Sequence, residues 1–345
     1  MQRQASGSPA SSASPESPVP SVTVILPTLN EGKRLGRCLG SLRAQDYPQD
    51  RVRILVADGG STDHTVSIAE AHGAEIVDAR DLLAEAAKEK ALHLADGDYL
   101  AMIDADNTVV GEQWLCRAVE ALEAHPEALG FESYYVFDPA DPPLNRYLTG
   151  LMQISDPWAR AVSRRLGLLH ADEPGPQIFE LPADGAYPTG ANGFVFSRRL
   201  LQALDGPFHE ATFFPEQIRR GSRLLLKDSR CLVHHDYVRG WRDFFRKKQR
   251  VAMHYLLRQE EVEGQWSRDL GPLRRWAAML WCASFVGPCL EGLVRSVADR
   301  RWEWWLHGPA STLSVVATVL GMIKSVRAGS DGDRRSASRR LKPSA

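Results

Sequence analysis

From residue 22 onward the chain alternates short apolar runs with stretches whose apolar residues recur at helical spacing, and this rhythm limits the fold more than any other feature. "VTVILP", "VRILVAD", "EIVDA" and "YLAMIDAD" read as strands. "EGKRLGRCLGSLRAQ", "TVSIAEAHGA" (its late glycine suiting a C-cap), "LLAEAAKEKALHLA" and "EQWLCRAVEALEAH" read as the helices that follow them. Strands alternating with helices predict an α/β fold, a largely parallel sheet with helices on both faces. In such sheets ligands bind outside the carboxyl ends of the strands. Those ends read "PTLNE", "DGGSTD" and "DAD", the most polar pieces of this half.

After residue 135 the rhythm loosens. "LNRYLTGLMQ" and "WARAVSRRLGLL" read as helices, and "AYPTGANGFVFSRRLLQAL" as a glycine turn, a strand and a helix. Two later stretches, 276–294 and 304–323, are each roughly of bilayer length. Pro288 and Glu291 interrupt the first, and His307 and Pro309 lie near the start of the second. If both spanned, the connector with Arg295, Arg300 and Arg301 would lie across the membrane from the rest of the chain, against the positive-inside tendency. Two interfacial or re-entrant helices are therefore expected, with a soluble helical cap as the alternative. Trp302, Trp304 and Trp305 beside arginines suit a membrane interface.

Residues 1–20, rich in Ser, Pro and Ala without an apolar core, read as a disordered tail, and 327–345 as a basic one. A net charge of -1 gives no sign of nucleic-acid binding. Five cysteines without a CxxC spacing fit a reduced, cytosol-facing compartment better than a disulfide framework.

Asp104 and Asp106 follow the fourth apolar run, separated only by Ala105. In a strand, residues i and i+2 point to one side, so both carboxylates would face one point and call for a cation there. A hard divalent ion held by one or two carboxylates and a substrate's phosphates would answer that need. Asp58 with Gly59 and Gly60 sits at the second strand end, where the glycines let a ligand approach the backbone. Pro27, Thr28, Asn30 and Glu31 sit at the first. Helix starts and caps would explain each site singly; three polar strand ends in register are harder to explain so.

"VTVILPTLNEGKRLGRCLGSLRAQDYP", "ILVADGGSTDHTVSIAEAHGA" and "GDYLAMIDADN" resemble family 2 glycosyltransferases of the GT-A fold, of the bacterial membrane-associated type, over about residues 22–250. The resemblance implies a nucleotide-sugar-binding half (21–135), an acceptor and catalytic half (136–250) and a helical, membrane-associated region (251–326). It places Thr28 and Glu31 by the nucleoside, Asp58 on the base, Asp104 near the ribose, and Asp106, assisted by Asp104, on Mn2+ or Mg2+ bridging the diphosphate. Pro27, Asn30, Gly59, Gly60 and Ala105 complete the donor site.

"YPTGANG" resembles the family's acceptor-side segment, so Thr189, Gly190, Ala191 and Asn192 would floor the sugar pocket. "GPFHEATFFPEQ" resembles the stretch ending in the Glu-Asp pair of inverting members, read here as Glu216–Gln217. An amide cannot serve as a general base. Glu216, or failing it Glu210, is then the candidate base, unless an ionised lipid phosphate needs none. His234, beside His235, with Arg242, Arg246 and Lys247, is the candidate set for a diphosphate or lipid head group, a solvated helix face being the plain alternative. The implied reaction moves a sugar, with inversion, from a nucleotide diphosphate sugar to a lipid or glycan acceptor at the cytoplasmic membrane face.

Three other readings compete. A degenerate transferase could serve as a lipid-binding scaffold. "YLAMIDADNTVV" fits the motif of haloacid-dehalogenase-like phosphatases, but that motif normally follows a domain's first strand. A nucleotidyltransferase would need a glycine-rich phosphate loop after strand one, which the sequence lacks.

Overall fold

A computed structural model describes residues 18–330 except 83, 152–154, 164–165, 172–174, 186, 191–192, 205–207 and 258–269. The predicted first half is present as β1 (Val22–Thr28), α1 (Leu35–Arg43), β2 (Val52–Asp58), α2 (Thr65–Ala71), β3 (Glu75–Asp78), α3 (Ala84–Leu92) and β4 (Tyr99–Met102). The chain continues through β5 (Asn107–Val110), α4 (Trp114–Ala124), β6 (Gly130–Glu132), β7 (Tyr134–Val136), α5 (Pro143–Thr149), α6 (Pro157–Val162), β8 (Gly167–Ala171), β9 (Gln177–Glu180) and β10 (Phe194–Ser197). Then come α7 (Glu210–Arg219), β11 (Leu224–Lys227), β12 (Leu232–His235), α8 (Trp241–Leu257), α9 (Pro272–Ala283), α10 (Val286–Ala298) and α11 (His307–Ser330).

Nine strands form one sheet in the order β3-β2-β1-β4-β10-β6-β11-β9-β8. Its first four strands are mutually parallel. Beyond β4 the sheet is mixed, because β10 runs antiparallel to β4 and to β6. Alternation along β1 divides its side chains between two cores. Val24 and Leu26 pack with α1 and α4, and Ile25 packs with α3 and the phenylalanines of β10 and α7. A strand covered on both faces is a continuous apolar run, as "VTVILP" is.

The later elements depart from the sequence reading in three places. Helix α6 ends at Val162, and Gly167–Ala171 is an edge strand where a helix was expected. Ser163 stops the helix: its backbone is extended, and its hydroxyl donates to the Ala159 carbonyl. After β10, residues Arg198–Ala203 form a 3-10 helix, capped by the Ser197 side chain, in place of an α-helix. The stretch 276–294 is broken, α9 and α10 meeting at 78° with Phe285 at φ +60 between them. Pro288 supplies the reason, since its ring would clash with the carbonyl four residues back, that of Ser284. Helix α11, with the turn before it, is long and apolar enough to cross a membrane over Trp302–Val326. It nevertheless packs along α8, and its Ala310, Ser311, Ser314 and Ala317 are buried.

A candidate active site at the carboxyl ends of the strands

The two acids lie just past β4, which ends at Met102, so the strand period does not govern them. Asn107 N–H donates to the Asp104 carbonyl at 2.9 Å, closing a turn over 104–107. Each carboxylate consequently has its own basic neighbours. Asp104 lies 3.5 Å from Lys88 Nζ of α3. Asp106 lies 3.5 Å from Lys247 Nζ of α8 and 3.7 Å from His235 Nε2 of β12.

His235 reaches Asp106 through a second, three-stranded sheet, β5-β12-β7, in which it pairs with Asn107. Alternation along β12 sends His234 the other way, onto Asp141 at 2.8 Å. Of the two histidines it is therefore His235 that attends the acids, correcting the choice of His234. Burial holds the His235 imidazole below its ordinary pKa against the pull of Asp106, so it is neutral near pH 7 and offers a free nitrogen. Burial would raise the Asp106 carboxyl, but His235, Lys247 and Arg34 outweigh it and keep it ionised.

Asn145 of α5 fixes the end of β12. Its amide donates to the His235 carbonyl at 3.0 Å, and its oxygen accepts from Val238 N–H at 3.0 Å. Asn145→Ala leaves the Val238 N–H buried and unpaired and the His235 carbonyl with only the Thr149 hydroxyl at 3.4 Å, and is expected to cost about 2 kcal/mol. A lowered urea midpoint at constant m-value is the check.

Among the described residues no group of three or more His, Cys, Asp or Glu side chains is placed to hold a metal. What exists is a half-site: the Asp106 carboxylate and the His235 Nε2, beside the buried, unpartnered Oδ1 of Asn107. A hard divalent ion that takes its remaining oxygens from a bound diphosphate fits this set.

The candidate bases change rank. Glu216 lies on the solvent face of α7, half exposed, and pairs with Arg220 at 2.6 Å. Gln217 points into the core. Glu210, first residue of α7, is the acid in the site, its carboxylate 2.7 Å from Lys88 Nζ. Lys88 thus lies between Glu210 and Asp104, which hold it charged against burial. Burial pushes Glu210 up to about 7 despite Lys88. Glu216→Gln is accordingly expected to leave turnover within about twofold of the parent, measured as nucleoside diphosphate release.

At the other strand ends the polar residues first shape their own loops. Asp58 accepts from Gly60 N–H, Ser61 N–H and the Ser61 hydroxyl. Asn30, at φ +57, accepts from Thr62 N–H at 2.8 Å, and Glu31 N–H donates to Thr65 Oγ1. Thr28 Oγ1, at the end of β1 beside Pro27, is buried without a partner. Burial raises the Glu31 carboxyl, opposed by Arg34.

Thr189 donates to Glu132 at 3.2 Å, and Gly190 has φ +113, where a Cβ would lie 2.3 Å from the Phe214 ring. Only glycine fits there. Ala191 and Asn192 lie outside the described residues. In the basic run of α8, Arg242 and Arg246 face solvent, and Lys247 alone of the three named residues reaches the acids.

Residues 23–173 match the family model described as Glycosyl transferase family 2. Over these residues the chain is similar to that family. A glycosyltransferase, AglE, of Haloferax volcanii is 31% identical over 112 residues, covering 31% of this chain and 36% of its own. Another, GlyG of Streptococcus pneumoniae, is 27% identical over 135 residues, covering 37% and 44%. The chain thus spans less than half the length of these curated relatives. A mannosyltransferase of Pyrobaculum calidifontis, solved with GDP-Man and Mn2+, superposes with a TM-score of 0.52 at 18% identity, covering 87% of each chain. That likeness establishes the GT-A fold.

Proposed function

We propose that the chain is a glycosyltransferase that moves a sugar from a nucleotide diphosphate sugar to an acceptor at a membrane surface. One observation carries the reading. The acids of the 104–107 turn stand at the rim of the parallel strands, with His235 on one and the Lys88–Glu210 pair beside the other. Residues 21–135 serve as the donor half and 136–250 as the acceptor half. The β1 and β2 loops, with Thr28, Glu31 and Asp58, line the nucleoside end, and Asp106 with His235 would hold the divalent ion. When bound, that ion supplies countercharge to the departing diphosphate.

The remaining chemistry rests on the chain's own groups. Thr189 and Gly190, packed against Glu210, floor the space for the sugar. Glu210, with a pKa near 7, accepts the proton of the acceptor hydroxyl, and Lys88 steadies the Glu210 carboxylate. The acceptor oxygen bonds to the sugar's anomeric carbon as the bond from that carbon to the phosphate oxygen breaks, and the nucleoside diphosphate leaves with the electron pair. Attack opposite the leaving group inverts the anomeric centre. Glu210 also removes the reason for a degenerate scaffold, which rested on Gln217.

The membrane assignment rests on the bent α9–α10 pair. Leu273, Leu280, Val294 and Val297 are exposed at 83%, 67%, 67% and 74%, with Trp276 and Phe285 among them and Arg274, Arg275 and Arg295 interspersed. Such a mixture of exposed apolar residues, tryptophan and arginine lies in the interface of an anionic leaflet, here the cytoplasmic one. A panel of UDP- and GDP-sugars incubated with and without Mn2+ tests the reading. Metal-dependent release of UDP or GDP is expected. Phosphate release from simple phosphomonoesters, with no nucleotide released from any sugar donor, would overturn it.

A further inference from the structure

Helix α8 carries two adjacent lysines with different surroundings. Lys247 turns to the acids, 3.5 Å from Asp106, while its Nζ donates to the Tyr237 carbonyl and lies 4.6 Å from the centre of the Tyr237 ring. Lys248 follows it about 100° further round the helix and is buried. It pairs with Asp156, and it also donates a hydrogen bond to the Tyr237 hydroxyl. The Tyr237 ring stands 5.0 Å from the His235 ring as well. One tyrosine therefore touches both basic neighbours of Asp106 and, through its hydroxyl, the buried lysine beside them.

Asp156 ties three helices together. It caps α6 by accepting from Trp158 N–H at 2.9 Å, takes the Lys248 ammonium of α8, and accepts from the Ser314 hydroxyl of α11 at 3.2 Å. Burial opposes the charge on Lys248, but Asp156 outweighs it and keeps the ammonium protonated. Helix α11 comes this close because it turns small residues to α8. A Cβ at Gly321 would lie 2.5 Å from the Gln249 carbonyl oxygen and 2.9 Å from the Ala252 Cβ. Lys324 then donates to the Gln249 side chain at 2.8 Å. The buried face of α11 is thus committed to α8, the helix that brings Lys247 to the acids.

We propose that Lys248, Asp156 and the Tyr237 hydroxyl are positioning residues, which set the rotation of α8 so that Lys247 stands at Asp106 and its ammonium meets the donor's diphosphate. The diphosphate rests on the glycosyltransferase reading. A buried ion pair adds little net stability over an apolar pair of the same volume, so its use here is geometric. It admits one angular setting of α8, where an apolar seam of small residues would let the helix turn or slide. A flexible lysine stem also loses rotamer freedom when held, and the Tyr237 carbonyl and ring offset that loss for Lys247.

The test is a double-mutant cycle on the affinity of the full chain for UDP and GDP at saturating Mn2+. Lys247→Met is expected to weaken the nucleotide that binds by about tenfold, the size of one charge-assisted contact to a phosphate. Tyr237→Phe and Lys248→Met should each weaken it by about threefold to tenfold in the parent. In the Lys247→Met background each should cost less than about twofold, because a residue that acts through Lys247 has nothing left to position. Tyr237→Phe keeps the ring and the carbonyl, so it decides the matter if Lys248→Met does not fold. A merely structural pair would lower the melting temperature and leave nucleotide affinity unchanged, or weaken it equally in both backgrounds. Either result overturns the proposal. A parent chain that binds neither nucleotide overturns the donor reading and the proposal together, whereas intact binding with additive losses removes the positioning role alone.

Discussion

Asp106→Asn is expected to lower metal-stimulated release of nucleoside diphosphate by about a thousandfold. A divalent ion supplies several kcal/mol of countercharge to a leaving diphosphate, and each 1.36 kcal/mol is a factor of ten. The amide keeps the size of the side chain but removes the charge that His235, Lys247 and Arg34 surround. Lys247 would then face the ion with no carboxylate between them. Two measurements check this: turnover with saturating Mn2+, and Mn2+ affinity in the presence of UDP or GDP. A loss in both is expected. Turnover within threefold of the parent would remove Asp106 from the metal site, and with it the mechanism. Stripping the parent protein with a chelator should reproduce the variant's loss, and added Mn2+ should restore only the parent.

Glu210→Gln is expected to cost a factor of about 10² to 10⁴ in turnover, the range of a positioned general base. Glutamine can still accept a hydrogen bond from Lys88, which separates loss of the base from loss of the packing around it. The pH profile carries the sharper sign. Burial raises the Glu210 carboxyl to about 7, so the group is protonated and idle below that pH and becomes competent above it. Turnover of the parent should therefore rise with pH through a midpoint near 7. That limb should vanish in Glu210→Gln. A profile unchanged in the variant would show that another group takes the proton.

Much of the first half of the chain was legible before the structure. The four leading strands and their helices appear where the apolar periodicity puts them, because local period and burial agree in a parallel sheet covered on both faces. The "DAD" turn, the "DGGSTD" loop and the "PTLNE" loop lie together at the strand ends, as the rule for open α/β sheets requires. The second half was harder to read. Its strands are three to five residues long, too short for a period to declare itself, and their order β10-β6-β11-β9-β8 follows no sequence order.

Sequence by itself determined the nature of the fold and the acids at its rim, since each strand and loop there is specified by residues within a few positions of one another. Tertiary structure alone decided which basic and acidic groups attend them. Lys88, Glu210, His235 and Lys247 come from elements up to 159 positions apart in the chain. The choice between His234 and His235 turned on the register of β12 against β5, and that between Glu216 and Glu210 on where α7 begins. Both are consequences of long-range packing, which fixes the side a residue faces and leaves no trace in its neighbours along the chain.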